Sequence, residues 1–131
     1  MAKKLIIGTV AVFVAWSVLD FVLHGVLLQK AYADTASLWR PMEEMKMGVM
    51  YTVTLIASVT FVFLYAKMVT KTGLNSGLLY GLLIGILWGV SFGYGTYSVM
   101  PIPYYMAMTW FFGTIVECTV AGALVGLLVK D

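Results

Sequence analysis

Charge is scarce in this chain. Of its 131 residues, 11% are Asp, Glu, Lys or Arg, against about 25% in a typical soluble domain. A water-exposed surface needs more polar cover than that. Cysteine is nearly absent, and the one thiol, Cys118, can neither close an internal disulfide nor supply a thiolate cluster. There is one histidine, His24. A net charge of +2 offers no basic field, so no nucleic-acid partner is expected. No hydrolase, phosphate-binding or Ser–His–Asp pattern is present. An enzyme therefore ranks behind binding and transport.

Apolar side chains are what the chain has, at 62%. They fall in four runs, at 5–28, 47–65, 74–99 and 104–129. Each meets the length of about 20 residues needed to cross a bilayer. A chain in lipid must satisfy its backbone internally, which makes helices the default. Strands of a membrane barrel would be shorter and would alternate in polarity. The expected fold class is all-α: one polytopic membrane domain over 1–131, with four transmembrane helices and an external loop at 29–46. The first run has features of a secretory signal, with Lys3 and Lys4 ahead of it and "AYA" at 31–33. Its length, and the presence of Asp20 and His24, favour a retained span instead.

Lys3, Lys4, Lys67, Lys71 and Lys130 fall on one side of such a bundle, and Lys30, Arg40 and Lys46 on the other. The positive-inside rule then predicts that both termini are cytoplasmic. In the loop, Tyr32 and Trp39 suit the interface. Pro41 is expected to open the second helix, with Glu43 and Glu44 in its first turn.

The third run carries glycine at every fourth position: Gly73, Gly77, Gly81, Gly85, Gly89 and Gly93. The fourth adds Gly122 and Gly126. Helices in lipid associate through close packing, which small residues permit. Glycine-mediated packing of the third helix on the fourth is therefore expected. On a helix of 3.6 residues per turn, a four-residue step advances about 40°. The stripe should thus serve two neighbours, one near each end.

Three ionisable residues lie inside the apolar runs. A charge at the bilayer centre costs at least about 2.5–3.5 kcal/mol, so these groups should face the protein interior or one another. Asp20 and His24 are one turn apart on one face, and Trp16 extends that stripe. Glu117 lies about 8 Å deeper than Asp20 in an antiparallel bundle. Asp20, His24 and Glu117 are the predicted polar site, either a structural network or a proton- or cation-binding centre. Thr114 and Thr119 offer hydroxyls nearby. The outer-half methionines, including Met42, Met45, Met47, Met50, Met100, Met106 and Met108, raise copper ligation. Thioethers also serve as flexible fillers, and no metal or cofactor is expected.

The segment "WSVLDFVLHG" at 16–25, "WRP" at 39–41 followed by "EEM", and the glycine-rich third span together resemble a family of small bacterial four-helix membrane proteins of unknown function. The matching positions are Trp16, Asp20, His24, Gly25, Trp39, Arg40 and Pro41. The resemblance implies a bacterial inner-membrane location, and a first helix that works as a unit with the external loop. Arg40 would then reach toward Asp20. The expected role is a structural or ligand-binding membrane protein of unknown activity. The alternative is a proton-coupled small-molecule or cation transporter. A chain this small is expected to work as a homo-oligomer, or as a subunit of a larger membrane complex.

Overall fold

A computed structural model describes residues 1–130. The four apolar runs are helices long enough to cross a membrane: Ala2–Leu27, Met47–Met68, Leu74–Val99 and Tyr104–Leu128. The first span is α-helical over Ala2–Asp20 and π-helical over Phe21–Leu27. It breaks at Leu28, whose φ of −103° and ψ of 11° leave the helical region. A short helix, Gln29–Asp34, follows at once, so the segment between the first and second spans is partly helical.

Pro41 does not open the second span. It precedes a single 3-10 turn, Met42–Glu44, in which Glu43 and Glu44 sit. Met45 is then extended (φ −68°, ψ 133°), and the second span starts only at Met47. The extended residue separates the turn from the helix, so the two acidic groups serve the short turn.

Gly73 starts the third span with φ 146°, a conformation that side-chain-bearing residues rarely adopt. The Tyr65 hydroxyl holds this turn, donating to the Gly73 carbonyl at 3.2 Å and accepting from its N–H at 3.0 Å. The third span ends where Met100 turns extended (φ −123°, ψ 144°) ahead of Pro101. Proline disfavours helix in the residue before it. Pro103 then caps the fourth span.

The first span packs against the second and the fourth, and the fourth packs most extensively against the third. The spatial order is therefore second, first, fourth, third. The second and third spans meet toward the end of the bundle that carries the chain termini, here called the inner end, where the Tyr80 hydroxyl donates to the Phe61 carbonyl at 2.6 Å. The chain ends also meet, since the Lys4 ammonium donates to the Lys130 carbonyl at 2.7 Å. Both termini thus lie at one end of the bundle.

Gly77, Gly81, Gly85, Gly89 and Gly93 are all buried. All five face the fourth span. A methyl at Gly77 would strike the Gly122 carbonyl, one at Gly81 the Cys118 carbonyl, and one at Gly93 the Ala107 carbonyl. Gly122 and Gly126 return the contact against Gly77 and Gly73. The division between two neighbours is thus not what occurs: one partner takes five glycines. Two physical reasons account for it. The ridge of residues four apart is inclined to the helix axis by about 26°, so a neighbour crossing along it stays in contact. Val90–Gly95 is also π-helical. Its i→i+5 turns hold more residues and offset the advance of the stripe. Gly73 differs from the others, because a side chain there would meet nothing within 4 Å.

Two buried clusters fill the bundle. The inner one includes Val12, Trp16, Phe61, Val62, Tyr65, Cys118 and Val125. The outer one includes Leu28, Ala31, Ile102, Met106 and Trp110, with Tyr32, Trp39 and Phe92 packed on it.

Candidate functional site

Between the two clusters lies a cavity of about 200 Å³. Asp20, Leu23 and His24 of the first span line it, with Thr114 and Glu117 of the fourth. Met50, Val53 and Thr54 close one side, and Trp88 and Phe92 another. Both π-helical segments reach this cavity, through Leu23 and His24 on one wall and Phe92 on the other. Such bulges are rare and frequent at functional sites.

The helix pair sets the level of each acidic group. The Trp16 indole N–H donates to the Glu117 carbonyl at 2.9 Å, fixing the fourth span one turn inward of Asp20. Side chains tilt toward the N-terminus of their helix. In antiparallel helices Asp20 therefore leans inward and Glu117 outward. The tilt closes the offset, and Asp20 is the side-chain neighbour of the Glu117 carboxyl. Glu117 is only 9% exposed. Its Oε1 is buried without a hydrogen-bond partner among the described residues.

His24 turns the other way. Its Nδ1 lies 2.6 Å from the Tyr32 hydroxyl, which also accepts the Trp110 indole N–H at 2.9 Å. Trp110 can only donate. Tyr32 satisfies its own O–H by donating to Nδ1, which assigns the proton of the neutral ring to Nε2. Burial pushes the Tyr32 phenol up to about 12, against the pull of the Trp110 N–H, and Asp20 adds to the rise. Tyr32 therefore remains a donor throughout the neutral range. Phe92 stacks on Trp110 at 4.4 Å, and Trp39 meets it edge-on at 6.0 Å, so aromatic rings roof the cavity.

The predicted trio thus lines one cavity without forming one compact cluster. Asp20 meets Glu117, while His24 bonds to Tyr32. Among the described residues, no group of three or more His, Cys, Asp or Glu side chains is placed to hold a metal ion. Arg40 is exposed and forms no ion pair with Asp20 among the described residues. Thr114 lines the cavity, whereas the Thr119 hydroxyl is buried elsewhere without a partner among the described residues. The methionines do not converge: Met106 is buried in the outer cluster, and Met42, Met45, Met47 and Met50 are exposed. Tyr32 and Trp110 were not expected in the site. Their only sequence signal is that both rings carry a polar tip in an otherwise apolar setting.

Comparison with known protein families, curated proteins and solved structures found no match. Fold and cavity define the class: a small, all-helical, polytopic membrane protein with four apolar helices of spanning length.

Proposed function

We propose that the protein is a ligand-binding membrane protein whose Asp20–Glu117 pair takes up a monovalent cation in exchange for a proton. The observation that carries this reading is the orphaned Glu117 Oε1 at the wall of the cavity. Buried polar groups nearly always close their hydrogen bonds; of the three unsatisfied ones among the described residues, Ser17 and Thr119 are hydroxyls away from the cavity, and Glu117 alone is ionisable and lines it. Two carboxyls in contact can hydrogen-bond only through a shared proton. A monovalent cation entering between them replaces that proton one for one, so the net charge of the pair is the same before and after the exchange. The titratable groups facing the cavity are Asp20, His24 and Glu117. The second and third spans contribute Met50, Thr54, Trp88 and Phe92, none of them charged.

In this reading the glycine register draws the third and fourth spans together and so fixes one wall of the site. The five-to-three bias of positive residues supports cytoplasmic ends, with the chain in a bacterial inner membrane. A homo-oligomer is the form in which so small a bundle would enclose a path for transport.

The test is proton release. Tetramethylammonium chloride is added to the full chain in weakly buffered phosphatidylcholine nanodiscs, and the pH is followed. Acidification is expected from the wild type and not from the Asp20→Asn, Glu117→Gln double variant, with near-ultraviolet circular dichroism confirming its fold. No acidification from the wild type, or equal acidification from the folded double variant, would overturn the proposal.

A further inference from the structure

A second cavity, of about 410 Å³, opens sideways between the second and third spans. It exists because each of those spans packs on a different partner, and they close on one another through Phe61, Tyr65 and Tyr80. Its walls are almost wholly apolar, with Ile56, Leu64 and Ile84 among them. Trp16, Val53, Ala57 and Trp88 line both this cleft and the polar cavity, so the two adjoin, with the edge-to-face pair Trp16–Trp88 (5.6 Å) at their boundary.

We propose that the cleft receives the apolar body of an amphipathic organic amine, whose cationic head sits between Asp20 and Glu117, reached laterally from the bilayer. This inference rests on the cation-binding reading above and adds the ligand's class and route.

Charge complementarity selects the head. Among the described residues, the polar cavity is lined by two carboxyls and by no Lys or Arg. Trp16, Trp88 and Phe92 present aromatic surface beside the carboxyls, and ring faces attract organic cations. Among the described residues no third His, Cys, Asp or Glu side chain is placed to join the two carboxyls, which makes a poor cage for a metal ion. An anionic lipid head would meet repulsion here. Geometry selects the tail. The aromatic roof covers the polar cavity outward, and the inner cluster underlies it. A chain attached to a bound head therefore leaves through the cleft. Val53 and Ile56, at its mouth, are more than half exposed on the side that faces lipid.

The experiment uses the full chain in phosphatidylcholine nanodiscs, with an ω-bromoalkyl trimethylammonium as probe. Its bromine quenches tryptophan on contact, and concentrations are expressed per lipid so that partitioning cancels. Saturable quenching is expected, competed by tetramethylammonium and lost in the Asp20→Asn, Glu117→Gln double variant. Thr60→Phe and Leu64→Trp fill the cleft away from the carboxyls. Each is expected to shrink the affinity gap between the long-chain cation and tetramethylammonium by about tenfold, which corresponds to about 1.4 kcal/mol. Should tetramethylammonium release no proton from the wild type, the cation site itself fails. Should it do so while the filled cleft leaves the gap as it was, only the present inference fails. Equal quenching by the neutral ω-bromoalkanol would make the cleft a general acyl-chain groove and overturn it. Disulfide capture of Thr60→Cys between two chains would assign the cleft to a second copy, with the same consequence.

Discussion

The Tyr32 side chain serves three residues at once: its hydroxyl receives Trp110 and donates to His24, and its ring meets Trp39 at 5.4 Å. Tyr32→Phe keeps the ring and removes the hydroxyl, so the Trp110 N–H and His24 Nδ1 lose their partner. Each unsatisfied buried group costs about 1–3 kcal/mol. Thermal unfolding in detergent should fall accordingly, whereas Tyr105→Phe, at a half-exposed ring, should change it little. The contrast between what could and could not be read in advance is sharp here. Asp20, His24 and Glu117 stand out in the sequence because a charge in an apolar run demands an explanation. Tyr32 and Trp110 lie 78 positions apart, and aromatic residues near span ends ordinarily read as interface anchors. Nothing local announces that one bonds the other, or that Arg40 stays away from Asp20.

At the level of the helices, backbone meets backbone along the third and fourth spans. Gly81→Leu would drive a side chain into the Cys118 carbonyl. Overpacking of this kind costs about 1–3 kcal/mol or more. The expected outcome is lower thermal stability and easier proteolysis between the two spans. Gly48→Ala, where the added methyl meets nothing within 4 Å, should stay within about 0.5 kcal/mol of the wild type. Gly73→Ala should destabilise for a different reason, since its φ of 146° disfavours any side chain. Glycine spacing made a packing stripe legible, because few other causes put a poor helix former at every fourth place. The partner's path was not legible. It depends on the crossing of two helices and on the π-helical segments Phe21–Leu27 and Val90–Gly95, and no residue type marks such a segment.

Across the whole molecule, an inner apolar cluster, a polar cavity and an aromatic roof are stacked along the bundle axis. The contact between Lys4 and Lys130 puts both ends at the same end of the bundle, which the proposed orientation makes the cytoplasmic one. Cysteine introduced at Ala2 or at Lys130 should therefore behave alike. In intact cells neither should react with an impermeant maleimide, and in inverted vesicles both should. Opposite behaviour of the two sites would break the four-span arrangement. The native Cys118 is buried among the spans and should stay silent in both preparations.

The π-helical turn of the first span also lets the chain carry a spare residue without turning what lies beyond it. An i→i+5 turn contains one residue more than an α-turn. Deleting Val22, which lies in that segment between Asp20 and His24, would let the helix revert to α-geometry while Asp20 kept its bearing. The α-turn closes with one residue fewer, so the following segment would keep its alignment with Trp110. Inserting a residue into the α-helical stretch Ala2–Asp20 has no such slack, and would either rotate the rest of the helix by about 100° or force a new bulge.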